Sequence, residues 1–270
     1  MPTTSEAFFV SLGDGRYRAT EHTEGPWDPA FQHAGPPAAL LARAIERESP
    51  AWSATVTRMS VDILGPVPVA ELTVRSRVLR PGRNVELVEA ELEAGGRAAV
   101  RAQAWRIREV DLDLPPLPPS HDGTADDGAA DPVPAFPQEA SALAPGWSGG
   151  YLHAIEWRLA SGTWADKGPA TIWGRMRYPL LPDEEPSGLQ RVMTIADSGN
   201  GVSSVLPLTG WFFINTELTV HLSAVPSGEW ICLDARTRLD RRGFGLASSR
   251  LFDRERLVAR GAQSLYVGPR

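Results

Sequence analysis

The chain repeats itself once. Thr57-Arg-Met-Ser-Val-Asp-Ile63 returns as Thr216-Glu-Leu-Thr-Val-His-Leu222, and Arg97-Ala-Ala-Val-Arg101 returns as Arg256-Leu-Val-Ala-Arg260. Both pairs lie 159 residues apart. One offset shared by two separated segments points to a single folding unit present twice. Two copies are too few for a solenoid, so the reading is a duplicated domain. Between the copies, residues 111–147 open with Asp111-Leu-Asp-Leu-Pro-Pro-Leu-Pro-Pro119 and carry eight prolines. Such a stretch has too little apolar surface to order itself as a core element. The chain of 270 residues therefore divides into a unit at 1–110, a linker at 111–147 and a unit at 148–270.

Each half reads the same way. Strand-like openings come first, at Phe8–Val10 and Arg16–Thr20 and again at Leu152–Leu159 and Ala170–Arg177. One helix follows. In the first half it comes after Gly35-Pro36-Pro37, with Ala38, Leu41, Ala42 and Ile45 at i, i+3, i+4 and i+7. Proline suits a helix start because the N–H it lacks has no helical partner there. In the second half Ser187 is placed to cap a helix carrying Leu189, Val192, Met193 and Ala196. Alternating segments follow each helix, as in Thr57/Met59/Val61/Ile63 against Arg58/Ser60/Asp62, a period of two that buries one face. One helix on a long antiparallel sheet, made twice, is an α+β fold. Two such units can join sheet edges and so hide them.

Composition narrows the function. A net charge of −6 argues against nonspecific nucleic-acid or anionic-membrane binding. A single cysteine, Cys232, excludes an internal disulfide and a multi-cysteine zinc site. The longest uncharged stretch, Ser198–Thr216, is broken by Asn200, Pro207 and several Gly and Ser residues, so no membrane span is expected. No basic targeting segment is visible, and the cytoplasm is the default expectation. No Walker loop, dinucleotide fingerprint or metal-ligand spacing occurs, so neither cofactor nor metal is expected. Gly146-Trp-Ser-Gly-Gly150 matches the Gly-x-Ser-x-Gly nucleophile elbow, but a proline-rich linker precedes it and a strand-like segment follows, the wrong context for that motif.

The segments Gly25-Pro-Trp-Asp-Pro29, Gln32-His-Ala-Gly-Pro-Pro-Ala-Ala-Leu-Leu41, Val61-Asp-Ile-Leu-Gly-Pro66, Leu218-Thr-Val-His-Leu222, Gly228-Glu-Trp230 and Ala262-Gln263 span both halves. Together they resemble the double hot-dog acyl-CoA thioesterases of the thioesterase II type. The resemblance implies a long helix wrapped by a curved antiparallel sheet, twice in one chain, as a pseudo-dimer. It implies an acyl-CoA substrate, a fatty acyl thioester cleaved to free acid and coenzyme A, and leaves further assembly into a homo-oligomer open.

The repeat also picks out residues. Leu257, Ala259, Gly261, Gln263 and Leu265 share one strand face, and Gln263 stands where the first copy has Ala104. A buried amide without partners costs about 1–3 kcal/mol, so something must bond it. Asp197, beside the apolar stripe of the second helix, is costly there unless paired or near water. The resemblance implies a catalytic set of an Asp after the second helix, a Ser or Thr in the next strand and a Gln in the last. Asp197 and Gln263 match. Aligned on His221, the Ser/Thr position falls on Phe213, leaving Asn215 or Thr216 to supply that bond. His33-Ala34-Gly35 resembles the His-Gly-Gly of single hot-dog thioesterases, where a helix N-terminus faces an acid of the other subunit. Free N–H groups there would suit a thioester oxyanion, with Gly35 admitting its carbonyl. In this reading Asp197 activates water, and the acyl chain lies in the apolar gap between helix and sheet. The plain alternatives are a capping role for Asp197 and a backbone bond for Gln263. Rival functions are a noncatalytic acyl or acyl-CoA binding protein and an enoyl-thioester hydratase. The hydratase ranks lower because such sites usually pair Asp with His, and no His follows Asp197 closely.

Overall fold

The computed structural model describes residues 5–48, 52–113, 115, 131–143, 149–163 and 167–270. In the first half, β1 (Phe9–Gly13) and β2 (Arg16–Ala19) precede α1 (Gly35–Arg47). Then come β3 (Ala54–Ile63), β4 (Glu71–Arg80), β5 (Val85–Ala94) and β6 (Arg97–Arg108). In the second half, α2 (Gly150–Ala154), β7 (Ile155–Ser161) and β8 (Ala170–Met176) precede α3 (Gly188–Ala196) and α4 (Gly199–Val202). They are followed by β9 (Trp211–Asn215), β10 (Glu217–Leu222), β11 (Trp230–Asp240), β12 (Phe244–Phe252) and β13 (Leu257–Pro269). The expected strand over Leu152–Leu159 thus begins as one helical turn, because Tyr151 and Leu152 turn inward to pack.

All strands belong to one antiparallel sheet in the order β1-β2-β4-β5-β6-β3-β10-β13-β12-β11-β8-β7, with β9 lying on β13. The two ends of that order mirror each other, and the repeat explains why. β3 pairs with its own copy β10, and Ser60 faces Thr219. Those two residues are repeat mates at the offset of 159, so a pseudo-twofold axis passes between them. Joining the halves there removes two strand edges that would otherwise face water. Met59, Val61, Leu218 and Val220 point from this seam into the core, all buried.

α1 and α3 lie antiparallel across the same axis. At one end Gly35 meets the Thr194 carbonyl. At the other, Glu46 accepts hydrogen bonds from Ser187 Oγ (2.7 Å) and Gln190 Nε2 (2.8 Å). Ser187 caps α3 as expected, accepting from the Gln190 N–H at 3.1 Å. Arg43 of α1 adds a two-pronged bond to Glu184, 2.7 Å on each arm. The space between α1 and the sheet is filled by Leu40, Leu41, Ile45, Val88, Leu92 and Val100, all fully buried.

The proline-rich segment departs from expectation. Residues 131–143 do not form a core of their own, but they dock on the second unit. Phe136 meets Trp173 and Trp230 edge-on at 5.2 and 5.1 Å, and the Arg254 guanidinium covers its ring at 3.6 Å. Trp173 Nε1 donates to the Ala135 carbonyl, and Ser141 N–H to the Trp157 carbonyl. Val133 and Phe136 find a ready aromatic surface, which composition alone does not reveal.

Candidate active site

Asp197 follows the last turn of α3, and three neighbouring elements converge on it. Asn215, ending β9, donates from Nδ2 to Asp197 Oδ1 at 2.8 Å. Gln263, in β13, donates from Nε2 to the Asp197 carbonyl at 3.1 Å and to Oδ1 at 3.4 Å. Gln263 Oε1 in turn accepts the Asn200 N–H at 3.1 Å. The amide therefore closes the end of α3 and touches the carboxylate at the same time. The local and functional readings of Gln263 are both present in its bonds. Gly199 makes this fit: a Cβ there would stand 2.7 Å from Gln263 Oε1.

His33 comes from the other unit. Its Nδ1 lies 3.0 Å from Asp197 Oδ2 and 3.1 Å from the Gly35 nitrogen, whose N–H points at it. Nδ1 therefore stands within hydrogen-bond reach of both the Gly35 N–H and Asp197 Oδ2. The imidazole stacks on Tyr151, centroids 3.7 Å apart and planes 11° apart. The Tyr151 hydroxyl bonds the Thr194 carbonyl and Ser198 Oγ, both at 2.8 Å. Burial, with the Asp197 charge nearby, pushes the phenol pKa up and keeps it neutral.

The cluster is buried yet reaches a cavity. Asp197 is 4% exposed and Gln263 2%. A cavity of about 610 Å³ opens against Asp197, Asn215, His33 and Ala34. Its wall is mostly apolar, with Trp27, Phe31, Ile63 and Val67 from the first unit facing Phe212, Phe213 and Ile214 from the second. The apolar space beside the site thus lies between the two units, with β9 forming the wall on the side of the second. It is not the helix–sheet gap, which side chains fill.

Several expectations change. Thr216 is exposed and its hydroxyl bonds the Ser264 carbonyl at 3.3 Å, so it turns away from Asp197. Phe213 packs edge-on against Trp27 at 5.0 Å. Asn215, two residues on and on the same strand face, is the residue that meets the carboxylate. The start of α1 does not offer an array of free donors. Pro36 and Pro37 have no N–H, and that of Gly35 is turned to His33. Gly35 is buried, and a Cβ there would stand 2.4 Å from the Thr194 carbonyl oxygen. Its missing side chain serves the contact between α1 and α3. Ala34 does line the cavity, and its N–H has no bond to any described residue. Finally, Asp197 does have a histidine beside it, from 164 positions earlier in the chain. That removes the ground for ranking a hydratase low.

Sequence reasoning missed Tyr151, Ser198, Gly199 and Asn200. The run Ser198-Gly-Asn-Gly201 directly after Asp197 was the available signal. Nothing in the sequence marks Tyr151. Of the rejected elbow motif, Gly146 and Ser148 lie outside the described residues. Cys232 packs with Trp173 and Phe252, and burial pushes its thiol pKa up. No helix among the described residues is long and apolar enough to cross a membrane.

Comparison with known proteins bears on the family and the fold. The family model described as the acyl-CoA thioesterase N-terminal domain matches residues 23–107, and that of the C-terminal domain matches 125–267. A protein from Thermobifida fusca described as a thioesterase II superposes with a TM-score of 0.74 at 19% identity, over 99% of each chain. A hot-dog protein of unknown function from Alicyclobacillus acidocaldarius gives 0.68 at 16%, over 97% of each. An acyl-CoA thioesterase II from Mycobacterium marinum gives 0.65 at 14%, over 97% of this chain and 95% of its own. Identities this low speak for the shared hot-dog fold alone. A search of curated proteins finds no match. The family models cover most of both repeat units, and the chain belongs to the acyl-CoA thioesterase family.

Proposed function

We propose that this chain hydrolyses acyl-CoA thioesters with a water activated at Asp197. The observation that carries the reading is the convergence of Asp197, Asn215, Gln263 and His33 at the end of a largely apolar cavity. A carboxylate has about four acceptor positions, and the bonds present leave one for a water. The water oxygen attacks the thioester carbonyl carbon while its proton passes to the Asp197–His33 pair. The C–O bond forms and a tetrahedral oxyanion results. The Ala34 N–H, which has no bond to any described residue and lines the cavity, is the donor available to it. Collapse breaks the C–S bond, and the leaving thiolate takes the proton back from the pair. Asn215 and Gln263 hold the carboxylate in place and act as positioning residues.

The His33–Asp197 contact favours a second reading, hydration of an enoyl thioester, in which the same pair delivers water to a carbon–carbon double bond. One experiment separates the readings. Saturated and enoyl-CoA substrates are followed for release of free thiol and for loss of enoyl absorbance. Thiol release from saturated acyl-CoA supports the hydrolase. Enoyl loss without thiol release supports the hydratase. Thermal stabilisation by acyl-CoA without either reaction leaves binding alone.

A further inference from the structure

A second, smaller space adjoins the main cavity across His33 and Gly201, which line both. Its remaining walls include Leu143, Leu152, Trp157 and Val202. It has about 20 Å³ of free space. A water needs roughly 10–15 Å³ on that measure, so the slot holds a group of about methyl size and little more. Among the described residues, no acidic side chain and no Lys or Arg lines it, and its polar side chains are His33 and Ser198. Its floor is rigid, because Trp157 is buried and its Nε1 is tied to the Leu152 carbonyl at 3.0 Å.

We infer that the two spaces divide the thioester: the slot takes the acyl group and the large cavity takes the carrier arm. The chain is thereby a short-acyl thioesterase. This rests on the hydrolase reading. The slot is far too small to pass a pantetheine arm, whereas the large cavity has room for it and brings Gln32, Asn200 and Arg270 to its wall. The large cavity suits the arm. Arg270 lines it, bonded through Nη2 to the Trp27 carbonyl (2.9 Å) and lying over Phe212. No carboxylate among the described residues pairs with that guanidinium, which leaves it donors for a phosphate. With the arm there and the carbonyl at Asp197, an acyl group points past His33 and Gly201 into the slot. Leu143 and Val202 then set its permitted length.

The test is kcat/KM of the full chain on acetyl-, butanoyl-, hexanoyl- and decanoyl-CoA. The natural protein should be fastest on acetyl-CoA. The double variant Leu143→Ala with Val202→Ala should raise the hexanoyl-to-acetyl ratio about tenfold or more, the scale of methylenes gained in an apolar pocket. Val202→Phe should lower butanoyl turnover relative to acetyl by a similar factor. A natural preference for decanoyl-CoA overturns the inference, and so does an unmoved ratio in a folded variant. Absence of thiol release from every acyl-CoA overturns the hydrolase reading and this inference with it.

Discussion

Gly35→Ala distinguishes two roles for one glycine. A Cβ at residue 35 would stand 2.4 Å from the Thr194 carbonyl oxygen and 3.1 Å from His33 Nδ1. A comfortable C···O approach is about 3.3 Å, so α1 must retreat from α3 by about 0.9 Å at this point. Little can yield. The Thr194 carbonyl belongs to α3 and accepts from the Tyr151 hydroxyl, and the His33 ring is stacked on Tyr151. Overpacking of this kind costs about 1–3 kcal/mol. Gly35 is the first residue of α1, outside the helix interior, so alanine recovers little helix propensity and a net loss of about 1–3 kcal/mol remains. For a chain of this size that lowers Tm by about 2–12 °C. The retreat also lengthens the His33–Asp197 contact, and a shift near 1 Å can lower turnover by about a hundredfold. Calorimetry and thiol release on the same sample check both. Lost activity with an unchanged or higher Tm would refute the packing argument and return Gly35 to the substrate.

Four further outcomes follow from the geometry. Asn215→Ala should lower kcat about 10- to 100-fold, the equivalent of one hydrogen bond to a charged group at about 1.5–3 kcal/mol. Thr216→Ala should change kcat less than about threefold, and the reverse order in steady-state kinetics would restore Thr216 to the site. Glu46 has its pKa raised by burial against α3, despite bonds from Gln190 and Ser187 and the charge of Arg43. A carboxyl whose folded pKa is raised binds more protons folded than unfolded, so its contribution falls as pH rises from its ordinary value through its folded one. Glu46→Gln should therefore flatten that decline and raise Tm at pH 8 relative to pH 4.5, while a Tm difference independent of pH would contradict it. Phe136→Ala should cost about 1–3 kcal/mol through two lost aromatic contacts and the Arg254 stack, and should speed proteolysis within residues 131–143. Unchanged cleavage would mean that the docking contributes nothing.

The fold is legible because duplication and strand alternation are periodic, and periodicity survives in one dimension. The offset of 159 even contains the axis, since Ser60 pairs with its own repeat mate Thr219. Asp197 and Gln263 are legible as polar residues on apolar stripes. Asn215 is narrowed to two candidates because Thr216 adjoins it, and only the strand facing decides between them. The role of Gly35 is easily misread although the clue stands beside it: two prolines cannot donate. The resemblance implies that the start of α1 faces the acid of the other unit, but the direct His33–Asp197 contact is not legible, because it forms only when antiparallel helices from different units meet. The aromatic surface that receives residues 131–143 is hidden for the same reason, being assembled from Trp173 and Trp230 on separate strands.

The central claim is that the carboxylate of Asp197 activates the water. Asp197→Asn keeps the size of the side chain and an oxygen for the Asn215 bond, so its Tm should stay within a few degrees of the natural protein. Thiol release from the best acyl-CoA substrate should fall by about 10²–10⁴-fold, the usual contribution of a positioned base. A folded Asp197→Asn protein that turns over within a few-fold of the natural one would contradict the account.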